Sequence, residues 1–243
     1  MRDKPPIHLV QLQDVSILQQ LRWEEALLRC DSRSWCLINH GTTPAIVMGI
    51  SGQLEQLVCL NRLRRDPLPI IRRFSGGGTV VVDEQTLFST FICNADALPI
   101  QPYPRDIMRW TERFYQPVFS EQPFAMREND FVIGERKFGG NAQSIIKGRW
   151  LHHSSLLWDY NSTLMDYLTL PAKRPNYRQD RPHCSFLCKL SDYFDQLDAV
   201  KSKVVESLSA HFKVFHSTIE ELDRIANTPH RMSTQLINAG LTH

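Results

Sequence analysis

The sequence lacks the features that mark several classes of protein. Its apolar runs are only a few residues long, far short of the roughly 20 needed to span a bilayer, and no apolar stretch of signal-peptide type stands at its start. With 28 basic and 26 acidic residues, the formal net charge is only +2, which does not indicate a nucleic-acid-binding protein. We therefore expect a soluble protein that binds neither nucleic acid nor membrane.

Cysteine is present but not in the spacing of a disulfide framework. The six cysteines stand mostly inside apolar runs, which is typical of free thiols in a reducing compartment. We expect a cytoplasmic protein, with the mitochondrion or plastid as alternatives. The start of the chain is not rich in Arg and Ser, which argues against an attached transit peptide.

Apolar periodicity predicts an α+β fold in which a mixed β-sheet is flanked by helices. Helices are expected over 16–31, 105–115 and 195–212, where apolar residues recur at three- and four-residue steps. Strand-like runs lie between them and do not alternate regularly with helices, unlike a doubly wound parallel sheet. These runs span 7–12, 35–39, 45–50, 69–73, 79–82, 87–93, 124–126, 130–134, 141–147 and 151–158.

No P-loop or dinucleotide fingerprint occurs, because the glycine-rich stretch is followed by valines rather than by a helical pattern. That stretch, residues 71–83, places Arg72 and Arg73 before Gly76-Gly77-Gly78. Glycines let backbone amides converge on an anion, and arginines add fork-shaped donors. The segment is a candidate anion site, although a flexible hairpin loop would have the same composition.

A second informative stretch covers residues 129–143 and is followed by 151–157. Apolar and polar residues alternate around Gly134-Glu135, which predicts a hairpin. Lys137 would then leave the second strand close to a Gly139-Gly140 turn, where it can contact a phosphate. Residues 171–182 have no periodicity and are rich in Pro, Arg and Asn, which favours a mobile surface connection and makes them a candidate lid.

Together these stretches resemble the lipoate-protein ligase A branch of the biotin and lipoate ligase family. Four blocks recur there in this order: Arg-x-Ser-Gly-Gly-Gly, Asn-Asp, Lys-x-x-Gly-x-Ala and His-x-x-Leu-Leu. The matching residues here are 73–78, 129–130, 137–142 and 153–157. The resemblance covers about residues 7–215 and implies the catalytic-domain fold of that family.

The resemblance also implies an activity. A carboxylate such as lipoate reacts with ATP, with Mg²⁺ as the metal, to an acyl adenylate, which then passes to a lysine of a lipoyl domain. The implied partners are lipoyl domains of 2-oxoacid dehydrogenase complexes or the glycine cleavage H-protein. A two-part enzyme would add a separate accessory-domain subunit.

By resemblance, Lys137 is the catalytic residue and contacts both the α-phosphate and the acyl carbonyl. Asp130 orients the adenylate or binds Mg²⁺, which proteins usually hold through one or two carboxylates. Asp130 can also merely cap a hairpin, and a histidine at 152 or 153 can be an ordinary strand residue. The predicted substrate- and nucleotide-binding residues are Arg73, Ser75, Gly76, Gly77, Gly78, Thr79, Val80, Val81, Asn129, Asp130, Lys137, Gly140, Asn141, Ala142 and His153.

Two departures from the family pattern leave alternatives open. Val82 stands where the family often has histidine, so the choice of acid is in doubt. About thirty residues follow the helix predicted to end near Phe212, too few for the usual accessory domain. We expect one catalytic domain over residues 1–243. Such a chain could be a full ligase, a transferase that accepts preformed lipoyl adenylate, half of a two-part ligase, or a non-catalytic acyl-adenylate-binding protein.

A cysteine-dependent octanoyltransferase is a further alternative within the superfamily. Its nucleophile would be Cys184 or Cys188. His183 adjoins Cys184, but neighbours in an extended segment point to opposite faces, so adjacency alone does not make a Cys–His pair.

Overall fold

Two β-sheets and seven α-helices form the fold in the computed structural model, which describes residues 3–170 and 174–237. The strands are β1 (Pro6–Gln13), β2 (Trp35–His40), β3 (Ala45–Met48), β4 (Ile70–Arg72), β5 (Val80–Val82), β6 (Thr86–Asn94), β7 (Phe124–Arg127), β8 (Asp130–Ile133), β9 (Arg136–Ile146), β10 (Arg149–Leu157), β11 (Lys213–His216) and β12 (Gln235–Ile237). The helices are α1 (Ile17–Cys30), α2 (Leu54–Leu57), α3 (Leu60–Arg65), α4 (Pro104–Tyr115), α5 (His183–Phe186), α6 (Leu197–His211) and α7 (Ile219–Ala226). Short 3-10 turns cover Ser162–Tyr167, Asn176–Arg178 and Leu190–Asp192.

The large sheet has eight strands in the order β11-β1-β2-β6-β10-β9-β8-β7. Strand β1 pairs in parallel with both β11 and β2, and the remaining neighbours are antiparallel. A small sheet has the order β12-β4-β3-β5, with β3 and β4 parallel. This mixed arrangement confirms the predicted α+β class.

Helices cover both faces of the large sheet because successive strand residues point to opposite sides. On strand β1, Ile7 and Leu9 join the core beneath α4 and α6, while Val10 and Leu12 join the core beneath α1 and α7. The small sheet packs into the second of these cores through Val47 and other apolar residues.

The three predicted helices are confirmed to within two residues at each end. Helix α1 begins after Ser16, whose hydroxyl accepts a hydrogen bond from the Gln19 amide at 3.3 Å, as an N-cap should. Helix α6 buries Val200, Val204 and Leu208, the apolar stripe that predicted it.

The structure excludes the hairpin-loop alternative for the glycine stretch, and the turn expected at Gly139-Gly140 was wrong. The glycine stretch is not a hairpin loop, because β3 lies between β4 and β5 in the small sheet. Gly139 and Gly140 do not form a turn but lie inside strand β9. A Cβ on Gly139 would come within 2.7 Å of Leu156 Cδ2, so packing rather than chain reversal requires glycine there.

Several elements were not predicted, among them β11, α7, β12 and the short helices α2, α3 and α5. Each is short, and periodicity in windows of this length is a weak signal. Within the part of the chain that the structure describes, no helix has the length and apolar character to cross a membrane.

Candidate functional site

The glycine segment, residues 73–79, connects β4 to β5 and is fixed by backbone hydrogen bonds at both sides. The Ile50 amide donates to the Ser75 carbonyl at 3.0 Å, and the Gly76 amide donates to the Gln143 carbonyl of β9 at 3.2 Å. Gly77 has φ +97°, and a Cβ on Gly49 would lie 2.2 Å from the Gly77 carbonyl oxygen. The segment therefore needs glycine at both contacting positions.

Arg73 folds back onto this segment, although we expected it to face an anion. Its Nη2 donates to the carbonyls of Gly76 at 2.7 Å and Gly78 at 2.8 Å, and its Nε donates to Ser75 Oγ at 2.9 Å. The side chain is buried, and burial lowers the pKa of Arg73 to about 10 while Glu24 raises it. Arg73 is thus a cation that shapes the glycine segment.

Ser75 continues a buried chain of hydrogen bonds that ends on a carboxylate. His153 Nδ1 donates to Glu24 Oε2 at 2.8 Å, and His153 Nε2 lies at hydrogen-bond distance, 2.9 Å, from Ser75 Oγ. Glu24 also accepts from Gln20 and from Thr90 at 2.6 Å. The sequence did not identify Glu24, which lies 129 positions from His153 along the chain.

Arg72, the other arginine before the glycines, lies elsewhere. Its Nη1 donates to the carbonyls of Ile50 and Gly52. It lines a separate concavity of about 520 Å³ together with the 50–55 loop and Ile237. Arg72 and Arg73 therefore do not converge on one anion, contrary to the expectation from their adjacency.

Lys137 lies on β9 beside a bulge. The register with β8 shifts between Phe131 and Val132, so Phe138 is an extra residue on β9 and points into the core. Such bulges re-aim the neighbouring side chain. The ammonium of Lys137 lies over Gly140, where an added Cβ would come within 3.4 Å of Nζ.

A carboxylate and a phenol hold Lys137 in place. Asp130 Oδ1 lies 2.7 Å from Lys137 Nζ, and Tyr177 donates its hydroxyl to Asp130 Oδ2 at 2.8 Å. Burial raises the pKa of Tyr177, and the Asp130 charge raises it further. The backbone of Lys137 is fixed as well, since its carbonyl accepts from the Cys188 amide at 2.9 Å.

Asp130, the predicted magnesium ligand, has both carboxylate oxygens engaged by the protein. Within residues 3–170 and 174–237, no three His, Cys, Asp or Glu side chains are grouped so as to hold a metal. The binding of Mg²⁺ by Asp130 stays a prediction, and the proposed roles of the other residues do not depend on it.

A cavity of about 90 Å³ opens beside Lys137. One wall comes from the end of the glycine segment and from strands β5, β9 and β10, and the other comes from residues 174–187, which we call the lid segment. The lining residues are Thr79, Val80, Val81, Thr86, Lys137, Gly139, Gly140, Ser155, Leu157, Met165, Leu168, Arg178, His183, Phe186 and Leu187.

The cavity therefore brings together Thr79, Val80, Val81, Lys137 and Gly140 from the predicted set. Residues 171–173 of the predicted lid lie outside the described residues. The sequence did not identify Arg178 and His183 as cavity residues. Arg178 lies in the aperiodic candidate lid, and His183 was considered only as the neighbour of Cys184. Burial lowers the pKa of His183, and Arg178 and Lys137 lower it further.

The remaining predicted residues lie between the glycine segment and the Lys137 cavity. Asn141 Nδ2 donates to the Asn129 carbonyl at 3.0 Å, and Asn141 Oδ1 accepts from His152 Nε2 and from Ser154 Oγ. Ala142 packs beside Gly77, where an added Cβ would lie 3.2 Å from the Ala142 Cβ. The Asn141 bonds join β9 to β10 and to the turn before β8, and Ala142 packs β9 against the glycine segment.

The cysteines do not form a nucleophilic site with a histidine. Cys188 is buried, and burial raises the pKa of its thiol. Its Sγ contacts the Arg136 carbonyl at 3.5 Å. Cys184 is exposed on α5. Among the residues that the structure describes, no hydrogen bond joins a cysteine to an imidazole, so the geometry does not favour the cysteine mechanism.

Comparison with known proteins gives the family. Residues 16–213 match the model of the "Lipoyl protein ligase A/B catalytic domain". The chain is 24% identical over 213 residues to "Inactive lipoate--protein ligase 2" of Plasmodium falciparum, covering 73% of this chain and 55% of that protein. It is 27% identical over 143 residues to lipoate-protein ligase LplJ of Bacillus subtilis, covering 56% of this chain and 40% of that one.

Solved structures share the fold. A lipoate-protein ligase A bound with ATP superposes with TM-score 0.73 at 18% identity, covering 92% of both chains. A bi-partite lipoate protein ligase of Thermoplasma acidophilum, described with its E2 lipoyl domain, gives TM-score 0.73 at 18% identity, covering 93% of this chain and 91% of that one.

The two relatives named above are longer than the matched region, and the chain spans about half of each or less. The family model nevertheless covers most of the chain. It also includes the glycine segment, Asp130, Lys137 and the lid segment, which together form the cavity and its support. The chain belongs to the lipoyl protein ligase A/B catalytic domain family.

Proposed function

We propose that this chain is the catalytic domain of a lipoate-protein ligase or lipoyltransferase. It binds the acyl adenylate formed from lipoate and ATP and passes the acyl group to a lysine of a lipoyl domain. The observation that carries this proposal is Lys137, a partly buried ammonium at a cavity that combines apolar side chains with a second cation, Arg178.

The chemistry needs a fixed cation at this point. In the first step a carboxylate oxygen attacks the α-phosphorus of ATP, the acyl–phosphate bond forms and pyrophosphate leaves. In the second step the acceptor amine attacks the acyl carbonyl, AMP leaves and the amine loses a proton. Negative charge develops on phosphoryl oxygens and then on the carbonyl oxygen, and Lys137 stabilises both with little reorganisation.

Asp130 and Tyr177 give Lys137 its position before a ligand arrives. The ammonium has three donors, and Asp130 takes one of them. The others remain available for the phosphoryl and carbonyl oxygens. Val80, Val81 and Leu157 supply the apolar surface of the cavity.

The cavity must widen to admit its ligand. Its volume is about 90 Å³, whereas pockets for ligands of this size measure about 300–1,000 Å³. The lid segment forms one wall, and its Tyr177 side chain contacts Asp130. Outward movement of this segment is therefore the proposed route of entry and release.

Properties of similar proteins support this proposal. One solved neighbour is described as bound with ATP and another, from T. acidophilum, with lipoic acid. The bi-partite ligase and its E2 lipoyl domain favour a lipoyl domain as acceptor, and a separate accessory subunit as a possible partner of this chain. Because the Plasmodium relative is named an inactive ligase, the first experiment is a direct assay of this chain.

The test incubates the purified chain with an apo lipoyl domain and one of two donors. The first donor is lipoate with ATP and Mg²⁺, and the second is presynthesised lipoyl adenylate. Mass spectrometry of the lipoyl domain measures attachment. Modification with both donors identifies a complete ligase, and modification with the adenylate alone identifies a transferase or one part of a two-part ligase.

Failure with both donors would overturn the enzymatic proposal. Binding of lipoyl adenylate without transfer would then identify the chain as a non-catalytic binding protein. Transfer that survives Lys137→Ala but is lost in Cys184→Ala or Cys188→Ala would favour the cysteine mechanism instead.

A further inference from the structure

The lid segment carries a buried cation that the protein itself does not fully satisfy. Arg178 is 5% exposed and lines the cavity beside Lys137. Its Nε donates to the Arg181 carbonyl at 3.2 Å. Its Nη2 is buried and has no hydrogen-bond partner among the described residues. An unpaired charged donor in a buried position is costly, which points to a partner that arrives with a ligand.

The surroundings favour an anion at this point. Lys137 and His183 line the same cavity as Arg178. On the facing wall Thr79 also has a buried Oγ1 without a hydrogen-bond partner in the part of the chain that the structure describes. Arg178 and Lys137 are like charges at one cavity and repel each other, and a phosphoryl group between them would remove that repulsion and give their donors an acceptor.

The guanidinium is held in a defined place. Its Cζ lies 4.6 Å from the centroid of the Phe186 ring. The neighbouring Arg181 locks the segment by donating to the carbonyls of Tyr177 at 2.7 Å, Glu135 at 2.9 Å and Arg178 at 3.2 Å. Arg181 therefore has a structural task, whereas Arg178 lines the cavity and leaves its buried Nη2 without an acceptor among the described residues.

We propose that Arg178 is a catalytic residue that binds the phosphoryl oxygens of the acyl adenylate from the side of the lid segment, opposite the β-sheet wall that carries Lys137. This inference rests on the proposed function. A bound phosphate would stabilise the closed position of the lid segment, because Arg178 Nη2 then gains the acceptor that it lacks among the described residues.

The test measures binding of adenosine, AMP and pyrophosphate to the full chain by calorimetry. We compare wild type with two variants. Arg178→Met keeps an apolar side chain against Phe186, and Arg178→Lys keeps the charge but loses the planar set of guanidinium donors. The matched control is Arg174→Gln, since Arg174 is exposed on the same segment and pairs with Asp180. Thermal unfolding checks that each variant is folded.

We expect AMP to bind Arg178→Met roughly 10- to 100-fold more weakly, the usual loss for one charged hydrogen-bonding partner, and Arg178→Lys to fall between. Adenosine affinity should change less than about twofold, and Arg174→Gln should match wild type. Equal losses for AMP and adenosine, no loss for AMP, or a loss for pyrophosphate alone would each overturn the assignment. Failure of wild type to bind AMP would overturn it too.

The lipoyl-transfer assay separates this inference from the proposed function. If wild type transfers no lipoyl group but AMP binding depends on Arg178, the phosphoryl site stands and the lipoylation proposal fails. If wild type transfers the lipoyl group but AMP binds wild type and Arg178→Met equally well, the lipoylation proposal stands and the assignment of Arg178 fails.

Discussion

The glycine segment and the Lys137 cavity both lie against strand β9, but the cations in them differ in how many of their donors the protein itself satisfies. Arg73 donates to the carbonyls of Gly76 and Gly78 and to Ser75, inside the protein. Lys137 has one carboxylate partner, and Arg178 has a buried Nη2 without a partner among the described residues.

We infer that this difference separates a structural scaffold from the proposed reaction site. A cation whose donors are used by the protein fixes the backbone, whereas one with donors toward a cavity can stabilise charge that appears during a reaction. Changes near the glycine segment should therefore reduce the free energy of unfolding. Changes in the cavity should reduce activity and cost less stability.

The largest expected effect is on the cavity side. Lys137→Ala should lower the rate of lipoyl transfer by about 100-fold or more, because a fixed cation at the developing charge is lost. The free energy of unfolding should fall by about 1–2 kcal/mol, since Asp130 is buried but keeps its hydrogen bond from Tyr177. Single-turnover kinetics and urea unfolding measure the two quantities.

Lys147→Ala is the matched control, because Lys147 is exposed in the turn between β9 and β10. It should behave as wild type in both assays. Transfer by Lys137→Ala within about threefold of wild type would remove the proposed catalytic centre.

The second prediction concerns the scaffold side. Glu24→Ala removes the acceptor of three buried donors, from Gln20, Thr90 and His153. The free energy of unfolding should fall by about 3 kcal/mol, as measured by urea unfolding. Glu121→Ala, which removes an exposed carboxylate paired with Lys203, should cost less than about 0.5 kcal/mol. Similar losses for the two variants would contradict the scaffold interpretation.

The third prediction is a pH dependence of the same scaffold. His152 accepts at Nδ1 from Gln143 and donates from Nε2 to Asn141, and burial lowers the pKa of His152 from 6.5 to about 3. Between these values the unfolded chain binds a proton that the folded protein does not. The free energy of unfolding should therefore fall as the pH drops from about 6.5 toward 3, by at most about 1.4 kcal/mol per pH unit.

Urea unfolding of wild type and His152→Gln between pH 7 and 5 measures this contribution. Other groups titrate in the same range, so the difference between the two slopes is the relevant quantity. Wild type should lose more stability on acidification than the variant, and identical slopes would show that His152 is not neutral and buried as described.

The smallest effect should come from Tyr177, where the lid segment contacts the support of Lys137. Tyr177→Phe removes the hydroxyl that donates to Asp130 and should lower the transfer rate about three- to tenfold, which corresponds to one hydrogen bond. Tyr193→Phe is the control, because it removes a hydroxyl that accepts from Arg136 at an exposed site. Equal rates for the two variants would argue against a role for this contact.

The sequence predicted the helices and the cavity residue Lys137, because long apolar periodicity and contiguous motif blocks are local signals. It did not predict the partners of those residues. Glu24 meets His153 across 129 positions, and Tyr177 meets Asp130 across 47, and such contacts exist only after folding.

Adjacency in the sequence also gave wrong predictions where the backbone directs neighbouring side chains to different surroundings. Arg72 and Arg73 look like one anion-binding pair, but alternate side chains of strand β4 and the following turn point to different surroundings. Gly139 and Gly140 look like a turn, yet the close packing of Leu156 against β9 explains the glycine at 139.

The most direct test of the central claim is a crystal structure of the chain soaked with lipoyl adenylate. We predict a phosphoryl oxygen at about 2.7–2.9 Å from Lys137 Nζ, the usual length of a charge-assisted hydrogen bond, with Arg73 still bonded to the glycine carbonyls. A phosphate bound instead by Arg73, or by Arg72 in the concavity at the 50–55 loop, would contradict the account.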